Sequence, residues 1–75
     1  GECDFILRNR HKVTAAVQSC IRLTDDDKDR EIDGLLKAMD AFSLPSGTIV
    51  TEDQRDRLTF GSRRIDVVPF WDWRP

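Results

Sequence analysis

The sequence predicts a small α+β domain, α/β-like at its one crossover, with elements in the order β-β-α-β-β-β. Three observations predict it. Two apolar, strand-like runs near the start flank a polar turn at 8–12, and the segment 26–42 carries apolar residues at helical spacing. The second half then holds short β-branched runs separated by turn residues. These signals place strands over 3–9, 12–23, 48–51, 57–60 and 63–69 and one helix over 25–42. With 75 residues the chain makes a single domain over 1–75, whose one core leaves a net stability of roughly 3–5 kcal/mol.

In the opening hairpin the alternation is only partial. Phe5-Ile6-Leu7 and Ala15-Ala16-Val17 are continuous apolar runs, which suits strands covered on both faces and predicts a central hairpin. Polar residues interrupt these runs at Asp4, Gln18 and Cys20, and those three need explaining. His11 falls in the turn with no second ligand beside it and reads as a solvated loop residue.

Thr24 is a predicted N-cap, with Asp27 three residues on. The carboxylates Asp25, Asp26 and Asp27 sit at the positive end of the helix dipole. That placement accounts for the acidic cluster, which lacks the alternating ligand spacing of a Ca²⁺ loop. Ile32, Leu35, Leu36, Met39 and Phe42 form the predicted buried stripe. Gly34 within it points to a close approach of helix and sheet, and Pro45 and Gly47 close the helix in a turn. The run at 48–51 is expected to pair parallel to the hairpin's second strand after the helical crossover. Residues 52–57 read as a solvated polar loop. Gly61-Ser62 is a two-residue turn of type II′ character, and Pro69 marks the end of the last strand. Phe70, Trp71 and Trp73 are expected to cap a core with few other large residues.

Twelve Lys and Arg against fourteen Asp and Glu give a formal charge of −2. A dedicated nucleic-acid binder needs a clear basic excess, which this composition does not supply overall. No apolar run approaches the ~20 residues of a membrane span and no signal-peptide pattern is present, so a cytoplasmic location is expected. The abrupt entry into a strand suggests a fragment of a larger protein, with Gly1 left from a tag. Cys3 and Cys20 fit neither a zinc pattern nor a disulfide-dense framework.

Glu2-Cys3-Asp4-Phe5, Val17-Gln18-Ser19-Cys20, the helical run from Gly34 to Phe42, Gly47-Thr48-Ile49-Val50-Thr51 and the close from Ile65 to Trp73 are joined in this order. Together they resemble the carboxy-terminal domain of a group of prokaryotic AAA-type ATPases, a domain of unknown function similar to PD-(D/E)XK nucleases. The resemblance runs along nearly the whole chain. It implies a restriction-endonuclease-like core appended to an upstream ATPase module, to which ATP and Mg²⁺ would belong. This chain itself holds no phosphate-binding loop, and no cofactor is expected in it. Active members of the wider superfamily bind a divalent metal through an Asp on the first hairpin strand and an acidic-x-Lys pair on the second. By that resemblance Asp4 takes the metal-Asp place, Gln18 the acidic place and Cys20 the Lys place.

Two of the three depart from the pattern. Gln18 offers one neutral carbonyl and Cys20 no cation, so only Asp4, with Glu2 two residues away, is left to hold Mg²⁺. The expectation is a vestigial site and a non-catalytic accessory domain whose partners are the rest of the parent ATPase, nucleic acid or another protein. Two alternatives stand beside it. One is a metal-dependent nuclease using Asp4, Glu2 and Gln18. The other is a nucleic-acid binder using Arg55, Arg57, Arg63, Arg64 and the tryptophans. Strand parity supplies a geometric check: convergence requires Asp4, Gln18 and Cys20 on one face with Cys3 on the other, which forbids a Cys3–Cys20 bridge. An exposed sheet edge would allow a homodimer.

Overall fold

A computed structural model describes residues 5–9 and 12–74, with side chains described from Ala15 onward. Asp4, Glu2, Cys3 and His11 lie outside the described residues. The order is β1 (Phe5–Asn9), β2 (Lys12–Ser19), α1 (Asp25–Ala41), β3 (Ser46–Thr51), β4 (Asp56–Phe60), β5 (Arg63–Pro69) and a short 3₁₀ turn, Phe70–Asp72. This is the β-β-α-β-β-β α+β fold that the sequence predicts.

The strands form one mixed sheet in the order β1-β2-β3-β5-β4. β1 and β2 are an antiparallel hairpin, β2 and β3 pair in parallel across α1, β3 and β5 are parallel, and β4 returns antiparallel along β5. The opening hairpin is therefore not central: β1 is an edge, and β3 occupies the middle. The β4–β5 hairpin displaces it, because β5 rather than β4 docks on β3.

The boundaries shift where local chemistry overrides pattern. β2 stops at Ser19 rather than 23, although Cys20 N–H still donates to the Val50 carbonyl and Glu52 N–H to the Ile21 carbonyl. β4 starts at Asp56, inside the segment read as loop. Gly47 belongs to β3 rather than to a turn. A Cβ there would lie 2.9 Å from Met39 Sδ and 3.0 Å from Leu35 Cγ, so the helix presses on the sheet at this residue.

Thr24 caps α1 in an extended conformation, accepting from Asp27 N–H at 3.2 Å and donating to Asp27 Oδ2 at 3.0 Å. At the other end Ser43 takes the left-handed φ of 55°. Leu44 N–H reaches the Met39 carbonyl and Ser43 N–H the Asp40 carbonyl, which is a Schellman motif with serine where glycine is usual. The helix thus ends at Ala41, four residues before Pro45. Phe42 is its C-cap and is exposed, and Glu31 joins Ile32, Leu35 and Met39 on the buried side.

The core lies between α1 and one face of the sheet. Ile32, Leu35 and Met39 pack on Ala16, Ile49, Ile65 and Val67, with Leu36, Leu44, Leu58 and Phe60 partly buried around them. Gly61 closes the β4–β5 hairpin with φ 66°, and Ser62 stays at negative φ, the backbone signature of a type II′ turn.

Candidate functional site

Ala16, Gln18 and Cys20 alternate with Val17 and Ser19, so by the two-residue period of a strand they share the face that α1 covers. Gln18 and Cys20 are thus brought to one face, as a convergent site requires. Their surroundings are those of a core. Gln18, opposite Ile49 in the β2–β3 register, is completely buried. Among the described residues neither its amide oxygen nor its amide nitrogen has a hydrogen-bond partner. Leaving such atoms unpaired costs roughly 1–3 kcal/mol. Val17 beside it is 1% exposed on the opposite face, so β2 is covered on both sides, as its continuous apolar run predicts.

Cys20 is a free, half-buried thiol that packs against the core and donates to the Arg22 carbonyl at 3.2 Å. Burial, and then the field of the buried Glu31, push this thiol above its ordinary value of 9.0. It is neutral at pH 7, and no cation stands at the position of the nuclease lysine.

A divalent metal does not fit the residues that are described here. Gln18 contributes a neutral carbonyl behind the helix, Cys20 a protonated soft donor, and Mg²⁺ requires hard anionic oxygens with room for water. Among the described residues no group of three His, Cys, Asp or Glu side chains is placed to hold a metal.

The opposite chemistry appears where the parallel strands end. A groove of about 260 Å³ is lined by Ser19, Cys20, Ile21, Val50, Thr51, Glu52 and Phe70. Ile21 is 76% exposed, and Phe70 and Trp71 are each 62% exposed. The aromatic tail therefore does not cap the core as expected. The 3₁₀ turn Phe70–Asp72 carries both side chains outward after Pro69 ends β5, and Trp73 is only half-buried.

The strand ends beside the groove are tied together by hydrogen bonds. Gln54 clamps the Leu23 backbone from the β3–β4 loop, accepting from Leu23 N–H at 2.6 Å and donating to the Leu23 carbonyl at 3.0 Å. Thr51 Oγ1 accepts from Gln54 N–H at 2.9 Å, and its own proton lies within reach of the Gln54 and Val68 carbonyls. The sequence marks Gln54 only as one polar residue in a charged run. Its role depends on a contact 31 residues away, for which the sequence carries no local signal.

The arginines proposed for nucleic acid are each engaged. Arg55 pairs with Asp72 at 2.6 Å and lies 5.9 Å over the Trp71 ring, Arg57 and Arg64 share Asp66, and Arg63 reaches Asp40. Surface pairs of this kind contribute roughly 0–1 kcal/mol each. They do offset the charge that phosphate binding would use.

No helix among the described residues is long and apolar enough to cross a membrane. Known protein families, curated proteins and solved structures give no match to the chain.

Proposed function

We propose that this chain is a non-catalytic interaction domain, the carboxy-terminal nuclease-like accessory domain of a prokaryotic cytoplasmic AAA-type ATPase. The residue order quoted for the resemblance supports the family. The succession of hairpin, crossover helix and parallel strand is compatible with it. ATP and Mg²⁺ belong to the upstream module, and this domain supplies a surface.

The observation that carries the non-catalytic part is the burial of Gln18. A catalytic carboxylate has to meet both metal and phosphodiester, whereas the residue at its place is sealed beneath α1. Cys20, at the lysine place, is neutral. The accessory part rests on the apolar groove at the strand ends and the exposed Ile21, Phe70 and Trp71, since clustered exposed apolar side chains mark contact surfaces.

The test is DNA cleavage by the full-length protein in Mg²⁺ or Mn²⁺, alongside Asp4→Ala. The expected result is no metal-dependent cleavage by either. Cleavage that Asp4→Ala abolishes would restore the nuclease reading. DNA binding that weakens steeply with salt would instead support the arginine reading.

A further inference from the structure

We propose that the outer edge of β4 is a docking site for an extended peptide segment in which acidic residues alternate with apolar ones, added to the sheet as a further strand. The site lies apart from the groove at the strand ends and is a second surface with its own ligand.

β4 is the last strand of the sheet, and among the described residues no strand pairs with its outer side. Which backbone groups face outward follows from the hairpin. Opposed residues of an antiparallel pair alternate between hydrogen-bonded and open positions, and a two-residue turn closes on a bonded pair, here Phe60 and Arg63. Asp56, Leu58 and Phe60 therefore bond to β5, and the N–H and carbonyl groups of Arg57 and Thr59 point away from the sheet. One of these groups already has a stand-in for a ligand. Arg57 N–H donates to Asp56 Oδ1 at 2.8 Å, in the place where the carbonyl of an added strand would accept.

The two edges of the sheet differ in the devices that prevent pairing. β1 carries a register irregularity between Leu7 and Arg8, whereas β4 pairs without a break from Asp56 to Phe60 and holds no proline. Its exposed arginine does not guard the edge, because Arg57 is turned inward over the sheet to Asp66 on β5.

The flanking side chains select the ligand. On the face away from α1, Arg57 and Arg64 share the single carboxylate of Asp66, so two guanidinium groups meet one acid and a positive charge is left over. On the face toward α1, Leu58 and Phe60 pack on the core and are only partly buried. An added strand with acids on the first face and apolar side chains on the second answers both, through cross-strand ion pairs and by completing the cover of Leu58 and Phe60.

Calorimetric titration of the chain with an acetylated, amidated hexapeptide alternating valine and glutamate tests the proposal, with amide hydrogen exchange locating the contact. Binding is expected, with the Arg57 and Thr59 amides gaining protection. The same peptide with lysine for glutamate should bind about tenfold more weakly or worse. Asp56→Ala frees the Arg57 N–H and removes a like charge, and should tighten binding about threefold or more. Thr59→Pro takes away an outward N–H without touching the bonds to β5, and should abolish binding while the far-ultraviolet circular dichroism stays unchanged. The proposal is overturned by a natural chain that does not bind the glutamate peptide, by equal binding of the lysine peptide, or by protection confined to other residues. A dimer formed without peptide and dissolved by Thr59→Pro also overturns it, since the occupant would then be a second copy. None of these outcomes bears on the groove or on DNA cleavage, which test the accessory role separately.

Discussion

Gln18 and the Phe70–Trp71 pair are mirror exceptions to the usual partition of side chains. Gln18 is polar, completely buried and, among the described residues, unpaired. Phe70 and Trp71 are apolar and mostly in solvent. Gln18 lies in β2, and Phe70 follows the last residue of β5, a strand that runs in the same direction since both pair in parallel with β3. One marks a place where residues of the catalytic type are expected and the surroundings are those of a core. The other marks a place where core residues are expected and the surroundings are a surface. The difference teaches that residue type alone misleads in both directions, and that a buried polar group and an exposed apolar patch are the informative observations.

The comparison is sharpened first by loosening the groove's support. Gln54→Ala removes both hydrogen bonds to the Leu23 backbone and is expected to cost about 1–3 kcal/mol, read from the urea midpoint. It should leave Gln18 buried. An unchanged midpoint would show that the clamp does not organise the strand ends.

A smaller effect is expected from pH. The folded state raises the Cys20 pKa, so it holds the thiol proton more tightly than the unfolded chain does. That preference contributes in full below pH 9 and is lost as pH rises through the folded pKa. The urea midpoint is therefore expected to fall above pH 9 in the natural chain and to fall less in Cys20→Ala. Equal slopes would mean that Cys20 is not shielded by the core.

Much of the fold was legible because its signals are local. The three-and-four spacing around Ile32, Leu35 and Met39, the Thr24 cap and the Gly61-Ser62 turn each specify their element within a few residues. What escaped depends on contacts distant in sequence. Gly47 is small because Met39 and Leu35 press on it, and nothing beside it announces that. β5 lies between β3 and β4, which pushes the opening hairpin to one side, and hairpin patterns do not encode sheet order. Of the candidate site, the sequence marks Gln18 and Cys20 as polar interruptions and parity places them on one face. Their enclosure by α1 follows only from packing. The outward turn of Phe70 and Trp71 was hidden for the same reason, since an aromatic cluster reads alike whether it caps a core or leaves it.

The most direct test is equilibrium unfolding of Gln18→Leu beside the natural chain, with and without saturating Mn²⁺. Leucine removes two unpaired buried polar atoms at nearly the same volume, so the variant is expected to be more stable by about 1–3 kcal/mol. Neither protein should gain stability from the metal. A natural chain that Mn²⁺ stabilises, with the gain lost in Gln18→Leu, would contradict the account and make Gln18 a ligand.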